Sequence, residues 1–242
     1  MKPLLALAVF DVLLFFASQA SAQTPAPTPG LPTWQDEIAK GCLPYHQLTV
    51  DDFRVSNDAK SDGDFYVSTC IDPRYHYYLK PHAGWVYAYI SDWIVFSGFN
   101  KSESWRKSSF HEMKASLPYA QALLGISEIR GRELGATKVG DLPEGRGASY
   151  EAAKAELDRK IKAFCEVKYK QAQAEDDAFA KATQFGENKK KVRELAAEIK
   201  KRLTAIPNPS PTPNEPGPTA SGAPKLQSSP SATPAASARD RR

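Results

Sequence analysis

The chain has 242 residues, 32 Lys and Arg against 28 Asp and Glu, and a formal charge of +4. That balance, with no basic stripe interleaved with aromatics, argues against nucleic acid as a partner. The composition is 41% apolar, there is no internal repeat, and the length between the two ends suits one domain with a sizeable core.

In chain order, Lys2 precedes the apolar run Leu4 to Phe16, and Ala20-Ser21-Ala22 supplies small residues for a peptidase. This predicts a signal peptide over 1–22; the run is short for a bilayer span and Asp11 interrupts it. An exported protein, periplasmic or extracellular and without a stable membrane span after cleavage, is therefore expected; an uncleaved anchor is the alternative. Residues 23–33 form a Pro-rich linker favouring extended backbone. Residues 34–206 form the folded domain. The tail 207–242 carries nine prolines, no aromatic residue and Leu226 as its lone large aliphatic, so it is expected to be disordered. Its functional readings are a spacer through envelope polymer or a ligand for a polyproline-binding partner.

Within the domain the hydrophobic period changes. A short helix is expected at Trp34 to Lys40. Asp64 to Ile71, Tyr75 to Leu79, Trp85 to Ile90 and Trp93 to Phe99 are aromatic and β-branched, with Pro73, Pro81, Gly84 and Gly98 as punctuation, and read as antiparallel strands. From Ser116 onward the period is helical. Leu117, Leu124 and Ile126 to Ile129 mark a first helix ending near Gly135. A loop, Gly140 to Gly147, follows, then a long helix from Tyr150 to about Gln184 and a last one through Val192, Leu195, Ile199 and Leu203. Strands first and helices second predict an α+β domain. The runs Lys189 to Lys191 and Lys200 to Arg202 fit the solvated face of the last helix.

Three cysteines, Cys42, Cys70 and Cys165, predict one disulfide and one odd thiol in an exported chain. Cys42 with Cys70 is the preferred pair, both lying in the strand-rich half; Cys42 with Cys165 stays open, because spacing does not fix connectivity.

A family resemblance rests on Leu48-Thr-Val-Asp-Asp-Phe53, Ser104-Trp105, the stretch Leu117 to Leu134, and Phe179-Ala-Lys-Ala-Thr183-Gln-Phe-Gly186. Over Pro44 to Leu203 the chain resembles a bacterial family of predicted secreted zinc-dependent proteases, a domain of unknown function. The resemblance implies a zincin-like outline. In such proteases His-Glu-x-x-His places two imidazoles on one helix face with a Glu to activate water. The matching positions here are Tyr119, Ala120 and Leu123, and the implied third ligand falls on Phe185. Leu123 and Phe185 cannot coordinate zinc and Ala120 cannot accept a proton, so the resemblance implies a degenerate member, with no catalytic residue, no metal ligand and no cofactor expected. Inward-facing Leu123 and Phe185 are expected to fill the space of the missing ion. The implied role is a non-catalytic binding or structural module of the cell envelope, with a protein or envelope polymer as partner.

The alternative is an active hydrolase with other ligands. Phe110-His111-Glu112 begins like the zinc motif, but its fourth position is Ala115. His46, His76 and His82 are scattered. Asp51 with Asp52, and Glu175 to Asp177, lack the oxygen-ligand spacing of a calcium loop. The aromatic set Tyr75, Tyr77, Tyr78, Trp85, Tyr87, Tyr89 and Trp93 fits sheet packing, or an exposed surface that stacks on sugar rings or holds a peptide.

Overall fold

The computed structural model describes residues 31–56 and 63–208 and the backbone of Gln227 and Ser228. The expected signal peptide, most of the expected linker and nearly all of the tail lie outside the described residues. The elements are α1 (Trp34–Ala39), β1 (Cys42–Pro44), β2 (Arg54–Ser56), β3 (Phe65–Tyr66), β4 (Thr69–His82), β5 (Trp85–Asn100), β6 (Trp105–Lys107), α2 (Met113–Gly135), β7 (Gly145–Gly147), α3 (Tyr150–Ala182), α4 (Lys189–Ala205) and β8 (Gln227–Ser228). The main sheet runs β1-β5-β4-β8, with β7 also paired to β5, and β2, β6 and β3 form a small second sheet. The fold is α+β, with an antiparallel main sheet ahead of long helices.

Two long strands replace the four short ones expected. β4 runs through Pro73 because β5 occupies only one of its edges, so the missing N–H costs no ladder bond on the open side. β5 passes through Ser91 on a bulge: His76 pairs with Asp92 and Tyr77 with Ile90, leaving Ser91 unmatched. The extra residue reverses the parity of β5. Val86, Ala88 and Ile90 before it, and Trp93 and Val95 after it, therefore share one face. At the hairpin tip Ala83 and Gly84 both have positive φ, the backbone of a type I′ turn that matches strand twist.

Helices cover that apolar face. Tyr75, Tyr77, Val86, Ala88, Ile90 and Val95 pack on Leu134 of α2 and on Ala153, Leu157, Ile161 and Cys165 of α3. Burying such side chains contributes about 1.5–3 kcal/mol each. α2 approaches β5 closely at Gly131, where an added methyl would lie 2.3 Å from Ser97 Cβ. α4 packs on the outer side of α2 through Val192, Ile199 and Leu203. Arg132 of α2 ties them together: its Nε donates to the buried Glu128 and its Nη1 to the carbonyls of Leu203 and Ile206, which closes the C-terminus of α4.

Two stretches expected to lack structure join the sheet. Gly145–Gly147, expected as loop, pairs with Val86–Ala88. Side chains at Gly145 and Gly147 would strike the backbone of Ala153 at 2.1 and 2.4 Å, so the absence of Cβ lets α3 lie against this strand. Gln227–Ser228, inside the tail expected to be disordered, pairs with Tyr77 and His76. An edge strand offers unpaired backbone groups to any extended segment, and that overrides the weak local propensity of the tail.

Candidate binding face

On the opposite face of the sheet the side chains follow the same parity rule. α1 covers one end, where Trp34 meets Phe96 edge to face at 5.1 Å beside Ile94 and Cys42. Beyond the bulge the face carries Tyr78, Lys80 and His82 from β4 and Tyr89, Tyr87 and Trp85 from β5, set opposite one another in register. Arg146 stands opposite Tyr87 on β7, because the alternation that turns Gly145 and Gly147 toward α3 turns the residue between them outward.

The rings form a connected row. Tyr78 and Tyr89 stack across strands at 5.3 Å, Tyr87 and Tyr89 along the strand at 6.2 Å, and His82 lies 6.4 Å from Tyr87. Arg146 lies over Trp85 at 4.2 Å and is 5.7 Å from Tyr87, a planar cation held between two rings. Trp85 is 42% exposed, and none of Tyr78, Trp85, Tyr87 and Tyr89 belongs to an apolar cluster among the described residues. Burial and the Glu144 carboxylate, which accepts from the Tyr89 hydroxyl, push that phenol above its usual value. Offset-stacked rings turn their faces toward one another and their edges and hydroxyls toward solvent. The rings thus make a ridged surface, and Arg146 lies over the faces of Trp85 and Tyr87.

The aromatic set seen in the sequence divides in two. Tyr75, Tyr77 and Trp93 face the helices: the Tyr75 hydroxyl donates to Asp158 and the Trp93 indole to the Leu134 carbonyl. Arg146 was not identified from sequence, although the Gly-Arg-Gly alternation is the signal that could have found it.

Tyr119, Ala120, Leu123 and Phe185, the positions singled out by the family resemblance, belong to α2 and the turn after α3 and lie away from this face. Tyr119 stacks on Phe179 at 5.3 Å, and an added methyl on Gly186 would come within 3.1 Å of the Tyr119 ring. Ala120 and Leu123 are buried in neighbouring clusters. Phe185 corrects the expectation that it points inward. It is 57% exposed, because Gln184, Phe185 and Gly186 all take positive φ in the turn between α3 and α4, which swings the ring outward.

The remaining candidates are dispersed. His46 Nδ1 donates to the Pro44 carbonyl, and its Nε2 lies 3.4 Å from Asp52; burial opposes the charge of Asp52, but the Thr49 N–H and hydroxyl hold its carboxyl below the usual range. His76 is buried 3.4 Å from Asp92, while His82 and His111 are exposed. Glu112 is the residue before α2 and makes no side-chain cap bond. Glu175 bridges Arg130 and Arg202. Among the described residues no three His, Cys, Asp or Glu side chains group closely enough to hold a metal ion.

Cys42 and Cys70 form the disulfide, the preferred pairing, and Cys165 is free and buried. Burial pushes the Cys165 thiol up to about 12, against a partly offsetting bond with Tyr169. Beside the disulfide Asp72 pairs with Arg74, which also donates to the buried Glu37. Burial raises Asp72 to about 6, Arg74 opposes the rise and the neighbouring Glu37 adds to it. No helix among the described residues is long and apolar enough to cross a membrane. No family model, curated protein or solved structure matches this chain.

Proposed function

We propose that this protein is an exported, non-catalytic binding module of the cell envelope, and that its aromatic face holds an extended, proline-bearing polypeptide. The observation that carries this reading is the ridged row Tyr78, Tyr89, Tyr87 and Trp85, left outside every apolar cluster among the described residues and flanked by Lys80 and Arg146. Proline segments dock into aromatic-lined slots as preformed helices with little conformational entropy left to lose. A flat sugar ring stacks on an outward-turned ring face, and the mutual stacking here uses those faces. Export is supported by the signal-like N-terminus and is compatible with the Cys42–Cys70 disulfide. The reading as non-catalytic rests on Tyr119, Ala120, Leu123 and Phe185, which put no imidazole and no carboxylate at the four positions that the resemblance matches to a zinc site.

The test is fluorescence anisotropy of a fluorescein-labelled decaproline titrated with the full mature chain, with a Trp85→Ala, Tyr89→Ala variant alongside. Saturable binding that the variant loses, with an unchanged melting temperature, supports the reading. Equal binding by both proteins refutes the placement of the site.

A further inference from the structure

Phe185 is the most exposed large apolar side chain among the described residues, yet its backbone is fixed. Its N–H donates to the Ala180 carbonyl at 2.7 Å, the Asn188 N–H donates to the Thr183 carbonyl at 3.0 Å, and the buried Thr183 hydroxyl donates to the Phe179 carbonyl at 2.8 Å. Gly186 seats the same turn against the Tyr119 ring. Gln184 and Phe185 take φ of 51° and 55°, a region that disfavours bulky side chains, so neither local propensity nor burial accounts for a phenyl ring at this position. The turn's surroundings are cationic. From 181 to 193 there are five Lys and Arg and one acid, Glu187. Lys181 lies four residues before Phe185, and Lys189 and Lys190 lie four and five after it; all three are exposed, and none forms a salt bridge with a described residue. Along the rest of α3 the pattern differs, since Lys154, Arg159 and Lys170 each pair with a carboxylate one turn away.

We infer that the turn between α3 and α4 is a peripheral anchor for an anionic phospholipid surface, with Phe185 entering the headgroup layer and Lys181, Lys189 and Lys190 meeting the lipid phosphates. Charge complementarity selects this occupant. An apolar pocket in a protein would accept the ring but gives no reason for unpaired cations on both sides of it, whereas anionic headgroups extend past the ring in every direction. Aromatic rings suit the membrane interface, and a lysine keeps its ammonium among the headgroups while its stem lies along apolar surface. Because the turn's backbone is already held, binding orders little beyond side chains. Each lysine near an anionic surface strengthens partitioning about fivefold and burial of the ring roughly tenfold, together about a thousandfold, which makes a reversible contact and not an insertion. This surface is separate from the aromatic face of the sheet and does not depend on its reading.

The experiment is co-sedimentation of the full mature chain with sucrose-loaded vesicles, either of phosphatidylcholine alone or of phosphatidylcholine and phosphatidylglycerol in equal parts. Three variants accompany it: Phe185→Asn, which keeps a residue suited to positive φ; Lys181→Gln, Lys189→Gln, Lys190→Gln; and Trp85→Ala as a control on the aromatic face. Thermal melting confirms that all of them fold alike. The expected result is binding to the anionic vesicles alone, about tenfold weaker for Phe185→Asn and about a hundredfold weaker for the triple lysine variant, and unchanged for Trp85→Ala. Absence of binding by the natural chain to anionic vesicles overturns the inference and leaves the ring to a protein partner. Equal binding by either the Phe185 or the lysine variant also overturns it, as does equal binding of the natural chain to both kinds of vesicle. A loss on Trp85→Ala as large as that on Phe185→Asn moves the contact to the β4–β5 hairpin and overturns it too.

Discussion

Reduction of the Cys42–Cys70 disulfide tests how the front of the sheet is held. The bond closes a loop of 28 residues that contains β2, β3 and the start of β4, and its Cα atoms stand 6.2 Å apart. The loop-entropy relation assigns such a closure about 3.5 kcal/mol at 25 °C, by restricting the unfolded chain. The bond itself lies in a small apolar cluster of Trp34, Cys42, Ile94 and Phe96 with Leu31 and Cys70 at its margin, while Leu48 and Phe53 inside the loop pack separately on Phe99, Met113 and Leu124. Urea unfolding followed by tryptophan fluorescence, with and without a phosphine reductant, should therefore show stability falling by about 3.5 kcal/mol. The slope should rise as well, because the reduced unfolded chain is less compact. Cys165 does not confuse the comparison, since its thiol is buried and shifted up to about 12, leaving almost no thiolate for exchange at neutral pH. It should react with a thiol reagent only after urea is added. A loss under about 1 kcal/mol on reduction would refute the reasoning and assign the anchoring of α1 to the Trp34–Phe96 contact instead.

Further outcomes follow from single sites. Asp72, raised to about 6 by burial from an unfolded value near 3.9, keeps its proton in the fold where the unfolded chain has lost it. Its contribution of about 3 kcal/mol is thus present below about pH 4 and gone above about pH 6; urea unfolding from pH 4 to 7 should show the decline, an Asp72→Asn protein should flatten it, and parallel profiles would contradict the assignment. Arg132→Met strands Glu128, which is 2% exposed, and uncaps α4, so a loss of about 3–5 kcal/mol is expected by chemical denaturation. Gly98→Ala puts a methyl 1.9 Å from the Leu43 carbonyl oxygen and should part β1 from β5; faster amide exchange in Leu43 and Phe99 with the rest of the sheet unchanged would confirm it. Trp85→Ala, in contrast, should move stability by no more than about 0.5–1 kcal/mol, because it removes a surface ring and its cation contact; a larger loss in thermal melting would place that ring in the core.

Local chemistry fixed much of this protein. Helix periodicity located α3 and α4 to within a few residues, because each repeats its apolar residues at three and four and buries that stripe, whereas α2 is buried nearly all round from Ala122 to Ile129. The change from strand-like to helical period fixed the α+β class, and the two cysteines of the strand-rich half identified the disulfide. Properties set by pairing between distant segments were not legible. A bulge at Ser91 reverses which β5 residues face the helices, so the aromatic run separates into core and surface only when β4 supplies the register. The strand at Gly145–Gly147 exists because α3 demands close approach, and the outward Arg146 follows from that demand rather than from its own propensity. Phe185 has an apolar side chain that sequence assigns to the interior, yet three successive positive φ angles turn it to solvent. Side-chain period and cysteine placement act over a few residues and are written in the chain; register, parity and the direction of a turn are decided by which segments meet, and only the folded protein holds that information.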